Sequence, residues 1–195
     1  EGFIRALVDR GVRVCAGHSN ATAAEMARAR AEGLSGVTHL FNAMSQLGSR
    51  EPGVVGAAMS DLGLAAGIIA DGHHVAWPSF QAAFRAIGPQ RMMLVTDAMA
   101  TNGSPRDAFE LFGETIRVSE GRLVNAEGRL AGAHLDMNAA ILNAHRHGGA
   151  TLAEALAMAS TAPAAYLGLS GSHGRIAPGR KAIFSVLRTA ALSSA

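Results

Sequence analysis

The 195-residue sequence has one cysteine (Cys15), one lysine (Lys181), one tryptophan and one tyrosine. A single cysteine excludes an internal disulfide, so stability has to come from packing, and a reducing, cytoplasmic setting is the simple expectation. Cys15 itself falls in the middle of an apolar run and reads as a packing residue. Charged residues are only 16% of the chain and the formal net charge is +2, with no basic run and no basic–aromatic alternation. That excludes the electrostatic footprint of a nucleic-acid binder. No apolar run reaches membrane-spanning length and no signal-peptide pattern is visible, so no membrane partner is expected. Internal repeats and low-complexity tracts are also missing.

What is present is an apolar fraction of 49% and 23 glycines. This suits an α/β protein with buried strands and tight turns. Four apolar runs read as strands: residues 12–17, 36–40, 64–70 and 92–96. Asn20 is placed to cap a helix over residues 21–32, with Gly33 as its stop. Residues 46–53 read as a polar loop. A second helix starts at Pro78 and runs to Ile87, ended by Gly88-Pro89. Strand, helix, strand, loop, strand, helix, strand describes repeated βα units on a parallel sheet. The rhythm then changes. Residues 115–118 and 122–124 flank Ser119-Glu120-Gly121 as a hairpin, residues 137–147 read as a helix, and Thr151 with Glu154 forms a capping box before another. A last short helix starts at residues 162–165. The chain opens on Glu1 and enters a helical segment almost at once, which reads as a start in mid-domain.

The four apolar runs share a habit: each leads into His or Asp. Residues 12–17 lead to His18, 36–38 to His39, 64–70 to Asp71 with His74 beyond, and 92–96 to Asp97. A buried strand has no local need for a polar residue at one particular end, so four together suggest a site at one face of a parallel sheet. His18 and His39 end consecutive strands. They are either two imidazole ligands of one zinc or iron ion, short of a third protein ligand, or satisfied core histidines. Asp97 is either a general base beside a metal-activated water or the cap of the small, polar turn after it. Arg50 is either an anion grip or a loop arginine paired with Glu51. His73 and His74 are adjacent, so at most one faces a site. His145, His147 and His173 read as surface residues.

The stretches Gly17-His18-Ser19-Asn20-Ala21, Thr38-His39-Leu40-Phe41-Asn42-Ala43-Met44, Arg50-Glu51-Pro52-Gly53, Ile69-Ala70-Asp71-Gly72-His73-His74-Val75 and Val95-Thr96-Asp97-Ala98 resemble, in order, the N-acetylglucosamine-6-phosphate deacetylase family of metal-dependent amidohydrolases. The resemblance covers roughly residues 5–180. It implies the C-terminal half of a TIM (β/α)8 barrel, strands five to eight, over residues 1–180. A post-barrel hairpin and helices would follow, and residues 181–195 would be a remnant of a small β-domain or a divergent tail. The N-terminal half-barrel and most of the small β-domain would be absent.

The resemblance also implies roles. His18 and His39 would ligate a divalent metal, zinc or iron, and Asp97 would be the catalytic acid/base. His74 would contact the acetamide. Asn42, Ala43, Arg50, Asp71, Gly72, His73, Leu130, Ala131 and Gly132 would complete the substrate-binding set. Arg50 would grip the sugar phosphate, across a homodimer in the full-length enzyme. The third metal ligand, a glutamate, would precede residue 1. Departures from the family pattern stand at Ala133-His134-Leu135-Asp136 and at Ile183. The implied reaction is hydrolysis of N-acetylglucosamine-6-phosphate to glucosamine-6-phosphate and acetate. Rival readings are an amidohydrolase for another amide, such as a cyclic ureide, and a truncated piece without activity.

Overall fold

The structure, a computed structural model, describes residues 2–186. The last nine residues of the expected tail lie outside the described residues. The first part alternates helices and short strands: α1 (Phe3–Val8), β1 (Cys15–Ala16), α2 (Ala23–Glu32), β2 (Gly36–Val37), α3 (Gly53–Ser60), β3 (Ala65–Ile69), α4 (Trp77–Ile87) and β4 (Met92–Val95). Its four strands form one parallel sheet in the order β1-β2-β3-β4. Then come β5 (Ala108–Leu111), β6 (Glu114–Ser119) and β7 (Arg122–Val124), an antiparallel meander, and α5 (Met137–Arg146), α6 (Leu152–Ala159) and α7 (Thr161–Tyr166).

The caps explain the helix positions. Thr22 accepts from the Glu25 backbone N–H while Glu25 accepts from that of Thr22, a capping box, and Gly33 ends α2 at φ 112°. The cap is therefore Thr22 and not Asn20: Thr22 has its glutamate three residues on, and Asn20 lacks that partner. Thr151 and Glu154 form the same box for α6, as their spacing predicts. Pro78 stands in the first turn of α4, where its missing N–H costs nothing.

Two elements carry no mark in the sequence, and one residue, Cys15, is placed differently from its reading. Residues 53–60 are a helix, although no helical period marks them. Gly53, Val54, Val55, Gly56 and Ala58 are all buried, so α3 has no polar face to create a period. The hairpin has a third strand, β5, paired with β6 from Ala108↔Arg117 to Leu111↔Glu114. Cys15 is exposed, because β1 pairs only with β2 and leaves an edge. Its sulfur meets the Tyr166 hydroxyl at 3.0 Å, and that hydroxyl also meets Ser35 Oγ at 3.0 Å. Burial and the hydrogen bond with Cys15 push the Tyr166 phenol up to about 12.

The core lies between the parallel sheet and the helices. Val37, Ile68, Ile69 and Met92 from the strands meet Val54 and Val55 of α3 and Phe80 of α4, all essentially inaccessible to solvent. Each large side chain buried there is worth about 1.5–3 kcal/mol. The opposite, C-terminal edge of the sheet is where the polar residues gather.

Candidate active site

His18, His39, Asp71 and Asp97 each stand two residues beyond the last residue of β1, β2, β3 and β4. In a parallel sheet this brings all four to one edge. They occupy two levels. Val37 pairs with Ala66 while Ile69 pairs with Val95, so the aspartates lie three residues further along than the histidines. Backbone conformation repeats as well. His18, His39 and Asp97 all have positive φ, at 48°, 24° and 51°, as do Phe41 and Ala43. Each such residue costs about 1–2 kcal/mol relative to ordinary backbone, so the surrounding structure holds them there.

The histidines face each other. His18 Nε2 and His39 Nε2 are 3.0 Å apart, and the rings meet edge to face at 4.8 Å. Two nitrogens on one tetrahedral zinc stand about 3.3 Å apart, so the pair fits two places around one ion. His39 Nδ1 is buried with no partner among the described residues, whereas a ligating imidazole commonly has an acceptor there. Among the described residues no set of three His, Cys, Asp or Glu side chains could hold a metal. Glu25 and Glu51 are spoken for. Glu25 caps α2, and Glu51 Oε1 accepts from the Ala23 and Gly53 backbone N–H groups, which lower its pKa.

The turn after β3 holds a second pair. Asp71 Oδ1 accepts from the backbone N–H groups of His73 and His74, both at 2.8 Å. Asp71 Oδ2 meets His74 Nδ1 at 2.6 Å. Both side chains are nearly buried, at 9% and 7% exposed. Burial pushes the Asp71 carboxyl up, but the hydrogen bond with His74 and the two backbone N–H groups outweigh it, so its pKa lies below the ordinary value. Gly72 makes the turn possible: it has φ 75°, and a Cβ there would lie 3.0 Å from the Trp77 ring. His73 is exposed.

Asp97 is exposed and its carboxylate makes no hydrogen bond among the described residues. It therefore does not cap the following turn, which is closed by backbone bonds from Asn102 to Met99 and from Ser104 to Thr101. Nor is the carboxylate a buried strand-end charge: the strand stops at Val95 and Asp97 meets solvent. The Asp97 carbonyl accepts from Ala133, which ties β4 to the segment holding Leu130, Ala131 and Gly132. Gly132, at φ 77°, has no room for a Cβ, which would overlap Met99. Ala131 donates its N–H to Leu123, so that group is committed to the meander.

Asn42 uses its amide nitrogen on the His39 and Leu40 carbonyls. Ala43 and Arg50 are exposed. Arg50 forms no ion pair with Glu51 and has no partner among the described residues. The loop carrying it is locked from both sides. Ser45 donates to the Ala21 carbonyl and accepts from Val54, and Glu51 bridges α2 and α3. No local signal in the sequence marks Ser45. None marks the bond between His134 Nδ1 and Thr101 Oγ1, 3.0 Å, at a fully buried threonine. His145 and His147 are exposed as expected, but His173 is half-buried against Ser172. No hydrogen bond joins the two histidine-containing pairs to each other or to Asp97 among the described residues.

Two facing imidazoles and an aspartate without a side-chain partner among the described residues thus stand at the C-terminal edge of a βα sheet. The chain belongs to the amidohydrolase family, whose model matches residues 3–194. The family implies a divalent metal. Within it, the chain is 40% identical over 179 residues to the N-acetylgalactosamine-6-phosphate deacetylase of Escherichia coli O157:H7, covering 92% of this chain and 47% of that protein. It is 43% identical over 181 residues to the enzyme of that name from Shewanella sp. (strain ANA-3), covering 92% and 45%. The crystal structure of N-acetylglucosamine-6-phosphate deacetylase from Pasteurella multocida superposes with a TM-score of 0.87 at 36% identity, over 91% of this chain and 47% of that one. The chain thus spans about half the length of these relatives. Among the described residues no helix is long and apolar enough to cross a membrane.

Proposed function

We propose that this chain carries the metal-binding and proton-transferring part of an N-acetylglucosamine-6-phosphate deacetylase, and that its four parallel strands are strands five to eight of a (β/α)8 barrel. The observation that carries the reading is the convergence of the His18 and His39 Nε2 atoms to 3.0 Å at the C-terminal edge of a parallel sheet. The open edge of β1 is where further strands would join. The free thiol of Cys15 suits a reducing, cytoplasmic setting.

His18 and His39 would hold the divalent ion, zinc by their ligand type, with iron as the alternative. Such an ion supplies a water of lowered pKa and polarises a carbonyl oxygen. Asp97, exposed and unengaged, takes the proton of the attacking water and returns it to the leaving amine. The water oxygen adds to the acetamide carbon, the C–N bond breaks, and acetate and the amino-sugar phosphate leave. His74 meets the oxygen on which negative charge develops. Asn42, Ala43, Gly72, His73 and residues 130–132 surround the sugar. Arg50, whose guanidinium has no partner among the described residues, grips the phosphate of its own site or that of a neighbour in a homodimer.

The galacto epimer is the second reading, favoured by the 40% and 43% identities to the two N-acetylgalactosamine-6-phosphate enzymes against 36% to the Pasteurella protein. The test is acetate release by the protein expressed from its complete gene and supplied with zinc or ferrous ion. Its substrates are both 6-phosphates, unphosphorylated N-acetylglucosamine and a cyclic ureide. Release from a 6-phosphate alone is the expected result. Turnover of the ureide alone would transfer the site to another amide, and no turnover at all would make this a non-catalytic chain.

A further inference from the structure

We propose that Asp71 is a positioning residue that fixes the proton on Nδ1 of His74 and so leaves Nε2 as the nitrogen that meets the substrate carbonyl. The role given to His74 rests on the proposed deacetylation; the Asp71–His74 geometry does not. Three hydrogen bonds occupy the Asp71 carboxylate, two from backbone N–H groups on Oδ1 and one with His74 Nδ1 on Oδ2. At 9% exposure it has little surface left for a sugar hydroxyl. An ionised carboxylate only accepts, so Nδ1 must carry the hydrogen. The neutral ring then has its lone pair on Nε2, which has no partner among the described residues.

This has a chemical consequence. A neutral Nδ1–H imidazole cannot donate from Nε2. It becomes a donor there only by taking a second proton, and the ring is then an imidazolium paired with the Asp71 carboxylate. That cation is the form suited to a carbonyl oxygen becoming anionic. The low pKa of Asp71 agrees, since the carboxylate stays ionised to well below neutral pH. The other groups around the pair are few. His73 is on the same turn and exposed, Trp77 lies against Gly72, and Asn143 of α5 donates to the Ala70 carbonyl at 2.9 Å. No other charged side chain hydrogen-bonds either partner among the described residues.

The test is nitrogen NMR of the ¹⁵N-histidine-labelled 195-residue chain, with His74 assigned by the signals lost in His74→Gln. At alkaline pH the unsubstituted chain should show a protonated Nδ1 and a bare Nε2. In Asp71→Asn the amide oxygen can still accept from the two backbone N–H groups while its NH₂ faces Nδ1, so the proton should move to Nε2. A protonated Nε2 in the unsubstituted chain overturns the proposal even if the variant does not fold. An unchanged tautomer in a folded variant does the same. In the protein expressed from its complete gene, Asp71→Asn should lower kcat by about 10–100-fold with KM nearly unchanged. A raised KM at unchanged kcat would make Asp71 a substrate contact. Failure of the unsubstituted protein to deacetylate anything would sink the proposed function and leave the tautomer result standing.

Discussion

Non-glycine residues adopt the left-handed backbone conformation in two regions, for two different reasons. In the meander it closes hairpins. Phe112-Gly113 has φ 50° and 84°, and Glu120-Gly121 has 49° and 76°, each pair set between cross-strand partners, Leu111 with Glu114 and Ser119 with Arg122. These are two-residue turns of the kind that matches strand twist, and the ladder they close offsets their cost. At the C-terminal edge of the parallel sheet, His18, His39 and Asp97 adopt the same conformation with no hairpin to close. Nothing local repays them, so the strain belongs to the site.

The regions differ in support too. Residues 66–69 of β3 and 92–94 of β4 are buried, whereas in β6 only Ile116 is. Ion pairs near the meander, Arg122–Glu120 and Arg129–Glu127, are largely solvated and contribute little. Strained backbone is kept where buried strands and largely apolar helices such as α3 can hold it. The exposed ribbon carries only turns that fit it.

Substitutions in the two regions test this contrast. The largest effect is expected at Asp97. Asp97→Asn should lower acetate release by roughly 10²–10⁴-fold, with melting temperature and metal binding nearly unchanged. Near-normal turnover would make Asp97 a structural residue like those of the meander. At the other end of the same sheet, the single tyrosine allows a direct optical titration. Tyr166 should ionise near pH 12 instead of 10.0. Because its folded pKa is raised, its contribution to stability is complete below pH 10.0 and lost as pH rises through about 12. A midpoint at 10.0 would mean that the burial of Tyr166 and its contact with Cys15 are not held in solution. The smallest effects compare the two kinds of left-handed residue. Gly121→Ala should cost about 1–2 kcal/mol in a denaturant melt. At position 97, the Gly variant should be more stable than the Ala variant by about 1 kcal/mol, both being inactive. Equal stability of the two would remove the claim of strain at the site.

Local patterns were legible in the sequence, and geometry that depends on distant partners was not. Thr151 and Glu154 could be read as a capping box because both halves lie within one turn. Thr22 and Glu25 were written just as plainly, yet Asn20 stood at the more obvious boundary. The four strands could be seen, but β1 and β2 are two residues each, since the backbone leaves the ladder before His18 and His39. Helix α3 gives no periodic signal because five of its eight residues are buried and only the last is exposed. Asp71 and His74 were visible as candidates three residues apart, while their bond depends on the left-handed turn at Gly72. The exposed position of Cys15 has no local sign, because its partner, Tyr166, is 151 residues away.

A metal site at His18 and His39 is tested by a calorimetric zinc titration of the 195-residue chain beside His18→Ala, His39→Ala and the double variant. One ion should bind per chain, held weakly because only two protein ligands converge among the described residues, with binding lost in each single variant and in the double variant. Absence of saturable binding, or binding that survives the double variant, would contradict the claim that these two imidazoles form a metal site.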